Sequence, residues 1–266
     1  MHNKLLLASV GAIALSGSAA LAAEPLPPPP PPPPPFTWTG PYVGGQIGYA
    51  WAANGSFNDF GFDPRSRIFF TDVFGATPNG VLGGAHVGAQ YQFDWLVLGI
   101  EGSVDGTSLT ATDSVTFPVA FRGGTLSAQI SSDIQGSIRG KIGVAWDRLL
   151  IYGTGGVAFG GFTSDFTLSA PGFTPTPIFA SFNTSSTRTG WTAGGGLQYA
   201  VTNNWWVFAE YRFSDFGTLR ENLFGLSLPA NAFLNGSRRL EQNDVQVGFS
   251  YRFELLPPPP PVVAKY

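Results

Sequence analysis

Eight charged residues occur at alternating positions in stretches that are otherwise apolar or small. Four of them are acidic and four are basic, so they can neutralise one another if they share an enclosed space. Two kinds of chemistry suit such a set: an ion-paired network that fills a protein interior, or a charge-selective constriction in a channel. The residues are Glu101, Asp105, Glu210 and Asp244, with Arg139, Lys141, Arg212 and Arg252.

The residue types favour neither catalysis nor metal binding. Cysteine is absent, which excludes disulfides, thiolate metal sites and a cysteine nucleophile. His86 is the one histidine beyond the N-terminal segment, and we interpret it as a polar filler rather than a general base for a nucleophile. The glycine-rich stretches 153–156 and 194–196 precede no helix, unlike phosphate-binding loops. We therefore expect no enzyme, no cofactor and no metal.

Eight stretches that alternate between two kinds of side chain would position these charges. In 244–253, Val245, Val247 and Phe249 share one face, while Gln246 lies on the other. This period is typical of a β-strand with one apolar and one polar face, and about ten residues suffice for a tilted strand to cross a bilayer. The predicted strands are 41–51, 81–93, 96–105, 134–146, 149–159, 188–201, 205–215 and 244–253.

The connections between these strands alternate in length. Short turns follow the second, fourth and sixth strands. Long loops are predicted at 52–79, 106–132, 161–187 and 216–243, where turn residues and prolines collect. Outer-membrane barrels have this asymmetry, with short periplasmic turns and long extracellular loops.

A soluble barrel with an apolar interior and a charged exterior is the alternative architecture. Three features oppose it: charged residues are only 12% of the chain, the apolar faces carry aromatic residues near the strand ends, and the opposite faces are rich in Gly, Ser and Ala. Aromatic girdles and a polar interior are typical of membrane barrels. The sequence therefore predicts an all-β fold, an eight-stranded antiparallel up-and-down transmembrane β-barrel.

The segments outside the strands complete the predicted organisation. Lys4, an apolar stretch and the cleavage pattern Ala20-Leu21-Ala22 predict a signal peptide at 1–22, and no later apolar run is long enough for a membrane helix. Residues 23–35 form a proline-rich periplasmic linker with polyproline II character, 36–253 the barrel, and 254–266 a proline-rich periplasmic tail.

Several short motifs carry a resemblance. The chain resembles the small porin-like outer-membrane β-barrel family of alphaproteobacteria, often called outer-membrane immunogenic protein, an OmpA-like eight-stranded barrel. The family differs in usually having an aromatic residue at the position of Pro41 and in usually ending at the terminal aromatic, here Phe253. The motifs are WTGPYVG at 38–44, LGIE at 98–101, RGKIG at 139–143, YGTGGVA at 152–158, TGWT at 189–192, NW at 204–205, EY at 210–211 and YRF at 251–253.

The predicted function is structural: an envelope protein of the outer membrane, exposed at the surface, whose interior is plugged by the charges. A narrow porin-like channel is the alternative, and a lipid-modifying enzyme the third. Expected partners are outer-membrane lipids, lipopolysaccharide and the barrel-assembly machinery. Peptidoglycan is a candidate partner, through the proline-rich tails. The small net charge excludes nucleic acid. Arginine suits phosphate binding, so the candidate lipopolysaccharide contacts are Arg65, Arg67, Arg238 and Arg239.

Overall fold

A computed structural model describes the barrel region of the chain. The predicted signal peptide, the proline-rich linker and all but the first residue of the tail lie outside the described residues, which are 36–53, 58–63, 68–71, 77–117, 123–172, 177–222 and 233–254. Among these residues, no helix is long and apolar enough to cross a membrane. The strands are β1 (Gly40–Ala52), β2 (Asn58–Asp63), β3 (Ile68–Thr71), β4 (Asn79–Phe93), β5 (Leu96–Phe117), β6 (Gly124–Trp146), β7 (Leu149–Ala170), β8 (Ile178–Ala200), β9 (Trp205–Asn222) and β10 (Phe233–Arg252).

Eight of these strands form a closed ring. The order is β1-β4-β5-β6-β7-β8-β9-β10, and β10 pairs back onto β1 from Tyr42↔Arg252 to Ala52↔Gln242. All pairings are antiparallel between strands that follow one another around the ring. The predicted eight-stranded antiparallel up-and-down barrel is confirmed.

Short turns gather at one end of the ring, which we call the turn end. Asp94-Trp95 and Asp147-Arg148 each join two strands with only two residues. Asp94 and Asp147 have positive φ angles of 55° and 49°, and aspartate adopts this left-handed conformation more readily than most residues. The opposite end, with the longer connections, is the loop end.

The predicted long loops were wrong in extent, because much of each is strand. β5 and β6 continue to Phe117 and from Gly124, so most of the predicted loop 106–132 is a paired hairpin. The same holds for 161–187, 216–243 and part of 52–79, where β2 pairs with both β3 and β10. The continuations of β5 and β7 contain several Thr and Phe residues, which have high β-propensity. Beyond a bilayer the outer face need not be apolar, so polarity there does not indicate a loop.

The two faces of the sheet are arranged as the alternation predicts. Apolar side chains of the outer face are exposed by about half, for example Ile47 at 63% and Ile138 at 56%. Polar side chains of the inner face are buried, with Arg139 at 2% and Gln246 at 1%. Aromatic residues form two belts on the outer face. Trp95, Trp146, Tyr199 and Trp205 lie towards the turn end, with Tyr49, Trp191 and Tyr211 towards the loop end.

The inner glycines are sites where neighbouring strands approach closely. A Cβ atom on Gly84 would lie 2.7 Å from the Cα of Asp105, whereas a Cβ on the adjacent outer-facing Gly83 would meet nothing closer than 3.5 Å. We expect Gly84→Ala to lower the free energy of unfolding by about 1–3 kcal/mol, because the two backbones must separate.

Gly83→Ala is the matched control for this experiment. It restricts the unfolded chain without a clash and should be neutral or slightly stabilising. Urea unfolding in lipid vesicles measures both variants, and equal losses of stability would contradict a steric role for Gly84.

Candidate functional site

Arg139 lies at the centre of the barrel interior. It belongs to the inner face of β6, pairs in register with Glu101 of β5 and also reaches Glu210 of β9 across the interior. Its Nη2 donates to Glu101 Oε1 at 2.5 Å, and its Nη1 donates to Glu210 Oε1. All three side chains are at most 7% exposed. One guanidinium therefore links two carboxylates from strands that are not neighbours.

Glu101 has two further partners. Lys141 Nζ donates to Glu101 Oε2 at 2.8 Å, and the Tyr42 hydroxyl donates to the same oxygen at 2.7 Å. Lys141 Nζ also lies 2.9 Å from the Tyr42 hydroxyl oxygen. A buried carboxylate with this many donors is well compensated for its loss of water.

Glu210 is bound in a similar way. The Tyr152 hydroxyl donates to Glu210 Oε2 at 2.9 Å, and Arg212 donates to Glu210 Oε1 from Nε at 3.1 Å and from Nη2 at 3.0 Å. Lys141 Nζ lies 4.8 Å from the centroid of the Tyr152 ring, within the range of a cation–π contact. The two tyrosines therefore bind both the acids and the lysine.

The two remaining acids lie on the loop-end side of this group. Asp105 lies 3.8 Å from Arg212 Nη1 and accepts a hydrogen bond from Gln46 Nε2 at 2.6 Å. Asp244 accepts one from Gln246 Nε2 at 2.9 Å. We call the seven charged residues together the charged layer: Glu101, Asp105, Glu210 and Asp244, with Arg139, Lys141 and Arg212.

Arg252 is not part of the charged layer, although the sequence grouped it there. It lies at the turn end, where Nη1 donates to the carbonyl oxygen of Thr37 and, at 3.3 Å, to that of Thr39. Its Nη2 lies 4.0 Å from Glu254. The alternation correctly predicted an inner face for Arg252, but it carries no information on depth along the barrel. Four carboxylates therefore share the layer with three cations.

An apolar cluster closes the turn end below the charged layer. Trp38, which precedes β1, is fully buried, and its ring centroid lies 5.5 Å from that of Trp206. Its Nε1 donates to the carbonyl oxygen of Asp147 at 3.2 Å, so the N-terminal segment is tied to the turn between β6 and β7. We call these residues the turn-end cluster: Trp38, Tyr42, Val97, Ala145, Leu150, Tyr152, Ala200 and Trp206.

His86 lies between a serine and a glutamine, an arrangement that an enzyme could use. Its Nε2 is 2.8 Å from Ser250 Oγ and its Nδ1 is 2.6 Å from Gln46 Oε1. Because Gln46 gives its amide nitrogen to Asp105, its oxygen faces His86, and Nδ1 must carry the ring proton. Ser250 is 0% exposed and His86 is 5% exposed. A nucleophile needs access to substrate, and these burials deny it.

The four arginines predicted to contact lipopolysaccharide do not share one location. Arg65 and Arg67 lie outside the described residues. Arg238 shares the inner face of β10 with Leu240 and is 3% exposed, so it is turned away from lipid on the outer surface. The Arg239 side chain is 59% exposed on the outer face and pairs with Asp215 at 2.7 Å and Glu241 at 2.9 Å. Of the two described residues, Arg239 is the one that faces outwards.

Sequence reasoning missed several members of the interior. Tyr42 and Tyr152 bind the layer's glutamates, Gln46 and Gln246 bind its aspartates, and Trp38 closes the turn end. The sequence pattern could have identified the two tyrosines as interior residues, because both fall on the polar face of their strands. Within the described ranges, no group of three or more metal-binding side chains comes together.

Comparison with known proteins places the chain in a group of outer-membrane proteins. The family model described as outer membrane protein beta-barrel domain matches residues 8–253. A 31 kDa outer-membrane immunogenic protein of Brucella melitensis is 33% identical over 260 residues, covering 94% of this chain and 100% of the relative. A 22 kDa outer membrane protein of Rhizobium leguminosarum is 29% identical over 217 residues, covering 82% and 79%.

A solved structure shares the fold. The outer membrane protein OprG from Pseudomonas aeruginosa has a TM-score of 0.51 and 14% sequence identity, covering 81% of this chain and 97% of that chain.

Proposed function

The chain belongs to the outer-membrane β-barrel protein family and is a protein of the cell outer membrane, and from that premise we propose that it is a structural barrel whose interior is closed to solutes. The observation that supports this proposal is the stacking of two closures. The charged layer and the turn-end cluster both lie across the interior, and their side chains are almost completely buried. An eight-stranded ring is only just wide enough to be filled by side chains.

The orientation in the membrane follows from the connections. Short turns of outer-membrane barrels face the periplasm, and long connections face the outside. The turn-end cluster then closes the periplasmic side, and the extended hairpins of β5 to β10 stand above the outer surface. The 31 kDa Brucella melitensis relative is named an outer-membrane immunogenic protein, and hairpins that project from the cell surface would give this protein an exposed, antigenic face.

Inner glycines would favour a channel if their small side chains left room for water. The side chains around two of them leave little such room. A Cβ on Gly88 would lie 2.6 Å from the Tyr42 hydroxyl oxygen, and one on Gly248 would lie 2.6 Å from the Phe208 ring. The space beside both of these glycines is taken by aromatic side chains, so they accommodate the filling of the interior rather than an open passage.

Single-channel recording in planar bilayers tests the closed barrel. We expect the purified wild-type protein to show no steady openings, because ions would have to pass the desolvated charged layer. Ile138→Ala, a change on the lipid-facing side next to Arg139, is the control and should be equally silent. Steady wild-type openings whose conductance changes in Arg139→Ala or Glu101→Ala, but not in Ile138→Ala, would establish the channel instead.

A further inference from the structure

The residues just before β1 lie across the turn end of the barrel. Residues 36–39 have no regular secondary structure, yet they make defined contacts with the ring on both sides of β1. We call them the turn-end strap. The contacts of the strap lie on four separate elements, which are β4, the turn between β6 and β7, β9 and β10.

On one side, the strap is bonded to β4, a neighbour of β1 in the ring. The backbone nitrogen of Trp38 donates to Gln92 Oε1 at 2.9 Å, and the backbone nitrogen of Gln92 donates to Thr39 Oγ1 at 3.0 Å. The last strand pair between β1 and β4 is Gly40↔Gln90. These two hydrogen bonds therefore extend the contact between β1 and β4 into the strap.

The Trp38 side chain is bound to elements that are not neighbours of β1. Its Nε1 donates to the carbonyl oxygen of Asp147 at 3.2 Å, and its ring centroid lies 5.5 Å from that of Trp206 on β9. Trp38 is fully buried in this position. Because the strap continues directly into β1, that strand cannot move far from these elements unless Trp38 leaves its buried position.

Arg252, the last residue of β10, binds the strap at the seam between β10 and β1. It pairs in register with Tyr42 of β1, and its Nη1 donates to the carbonyl oxygens of Thr37 and Thr39. Its Cζ atom lies 5.7 Å from the centroid of the Phe36 ring, within the range of a cation–π contact. Arg252 is 5% exposed. Opening the seam at the turn end would break these shielded contacts.

The groups that bind the strap come together only in the closed ring. They belong to four elements, and Arg252 is separated from Thr37 by 215 residues along the chain. Bringing such distant groups together costs loop-closure entropy, and the pairing of β10 with β1 provides this proximity once the ring is complete. We propose that the turn-end strap is a latch, which docks after the ring has closed and then slows the opening of the β10–β1 seam.

Folding and unfolding rates in lipid vesicles, followed by gel mobility, test the latch. An interaction that forms after the transition state changes the unfolding rate and leaves the folding rate almost unchanged. Arg252→Met roughly preserves side-chain volume and removes the hydrogen-bond donors. We expect it to speed unfolding about tenfold, as the loss of hydrogen bonds to a charged group should. The folding rate should change by less than about twofold.

A second variant tests whether Arg252 acts through the strap. Replacement of residues 36–39 by Gly-Ser-Gly-Ser in the full chain removes the side chains that dock, and it should also speed unfolding without slowing folding. Arg252→Met added to this replacement should have no further effect, because coupled residues are not additive. Glu254→Gln is the control. Glu254 lies 4.0 Å from Arg252 but is 53% exposed and outside the strap, so this variant should unfold like wild type.

Three results would overturn the proposal. A folding rate that falls as much as the unfolding rate rises would show that the strap docks before the ring closes. Effects of Arg252→Met and the strap replacement that add in full would show that Arg252 acts apart from the strap. Unfolding at the wild-type rate after the strap replacement would exclude a latch, and this measurement stands alone if Arg252→Met does not fold.

Discussion

Arg139→Met should lower the free energy of unfolding by about 3 kcal/mol or more, because it leaves Glu101 and Glu210 buried without the cation between them. Methionine roughly preserves the volume, so the loss reports charge and hydrogen bonding rather than a void. Each glutamate retains one other cation and one tyrosine hydroxyl, so we expect a weakened barrel rather than an unfolded one. Urea unfolding in lipid vesicles, followed by gel mobility, measures the change.

Two further variants test whether unpaired buried charge causes the loss of stability in Arg139→Met. Glu210→Gln added to Arg139→Met should restore part of the stability, because it removes one of the two opposing charges. Arg239→Met, at the exposed outer rim, should cost less than about 1 kcal/mol, since exposed ion pairs contribute little. If Arg139→Met and Arg239→Met cost the same, the central guanidinium does not hold the interior together.

Trp38→Ala should cost about 3–5 kcal/mol, the usual loss for a large buried aromatic residue. Trp38 is fully buried, its backbone nitrogen donates to Gln92 Oε1 at 2.9 Å, and Phe36 packs on it with ring centroids 5.1 Å apart. Removal should open the turn end to water as far as Tyr42. Urea unfolding in lipid vesicles measures the loss in free energy of unfolding.

The conductance of Trp38→Ala in planar bilayers is the second measurement on this variant. The charged layer lies beyond the turn-end cluster, so the variant should stay silent in planar bilayers despite its lower stability. Trp95→Ala, on the outer surface at 57% exposure, should cost clearly less. An unfolding free energy of Trp38→Ala within 1 kcal/mol of wild type would show that the N-terminal segment only rests against the barrel.

The number of strands in the ring could be predicted because it depends on local pattern. A period of two is visible within any ten residues, and it placed Val247 and Gln246 on opposite faces. The low content of charge and the aromatic residues near the strand ends then assigned Val247 to the outside and Gln246 to the inside, which the structure confirms. The ends of the strands at the loop end could not be predicted in this way. Apolar outer faces define a strand only where lipid contacts it, and the Ser- and Thr-rich continuations of β7 and β8 lack that signal.

The pairing of charges depends on distances that alternation does not encode. It assigns Arg139, Glu210 and Arg252 to one face, but their depth depends on strand tilt and on the register between strands. The register of β5 against β6 includes an irregularity between Gly106 and Leu109 that the alternation does not show. The contact of Arg139 with Glu210 spans the interior, so the sequence pattern could suggest the set but not the partners.

The pairing of β10 with β1 also determines the stage of synthesis and export at which the barrel can close. The two strands come from opposite ends of the barrel region, and each supplies the hydrogen bonds that the other lacks along the seam. Until the final strand arrives, the seven earlier ring strands have two open edges, which hydrocarbon does not tolerate. Synthesis and export of β10 must therefore be finished before a stable barrel forms. A chain that stops short of this strand has no half-built membrane form and would be left to proteases.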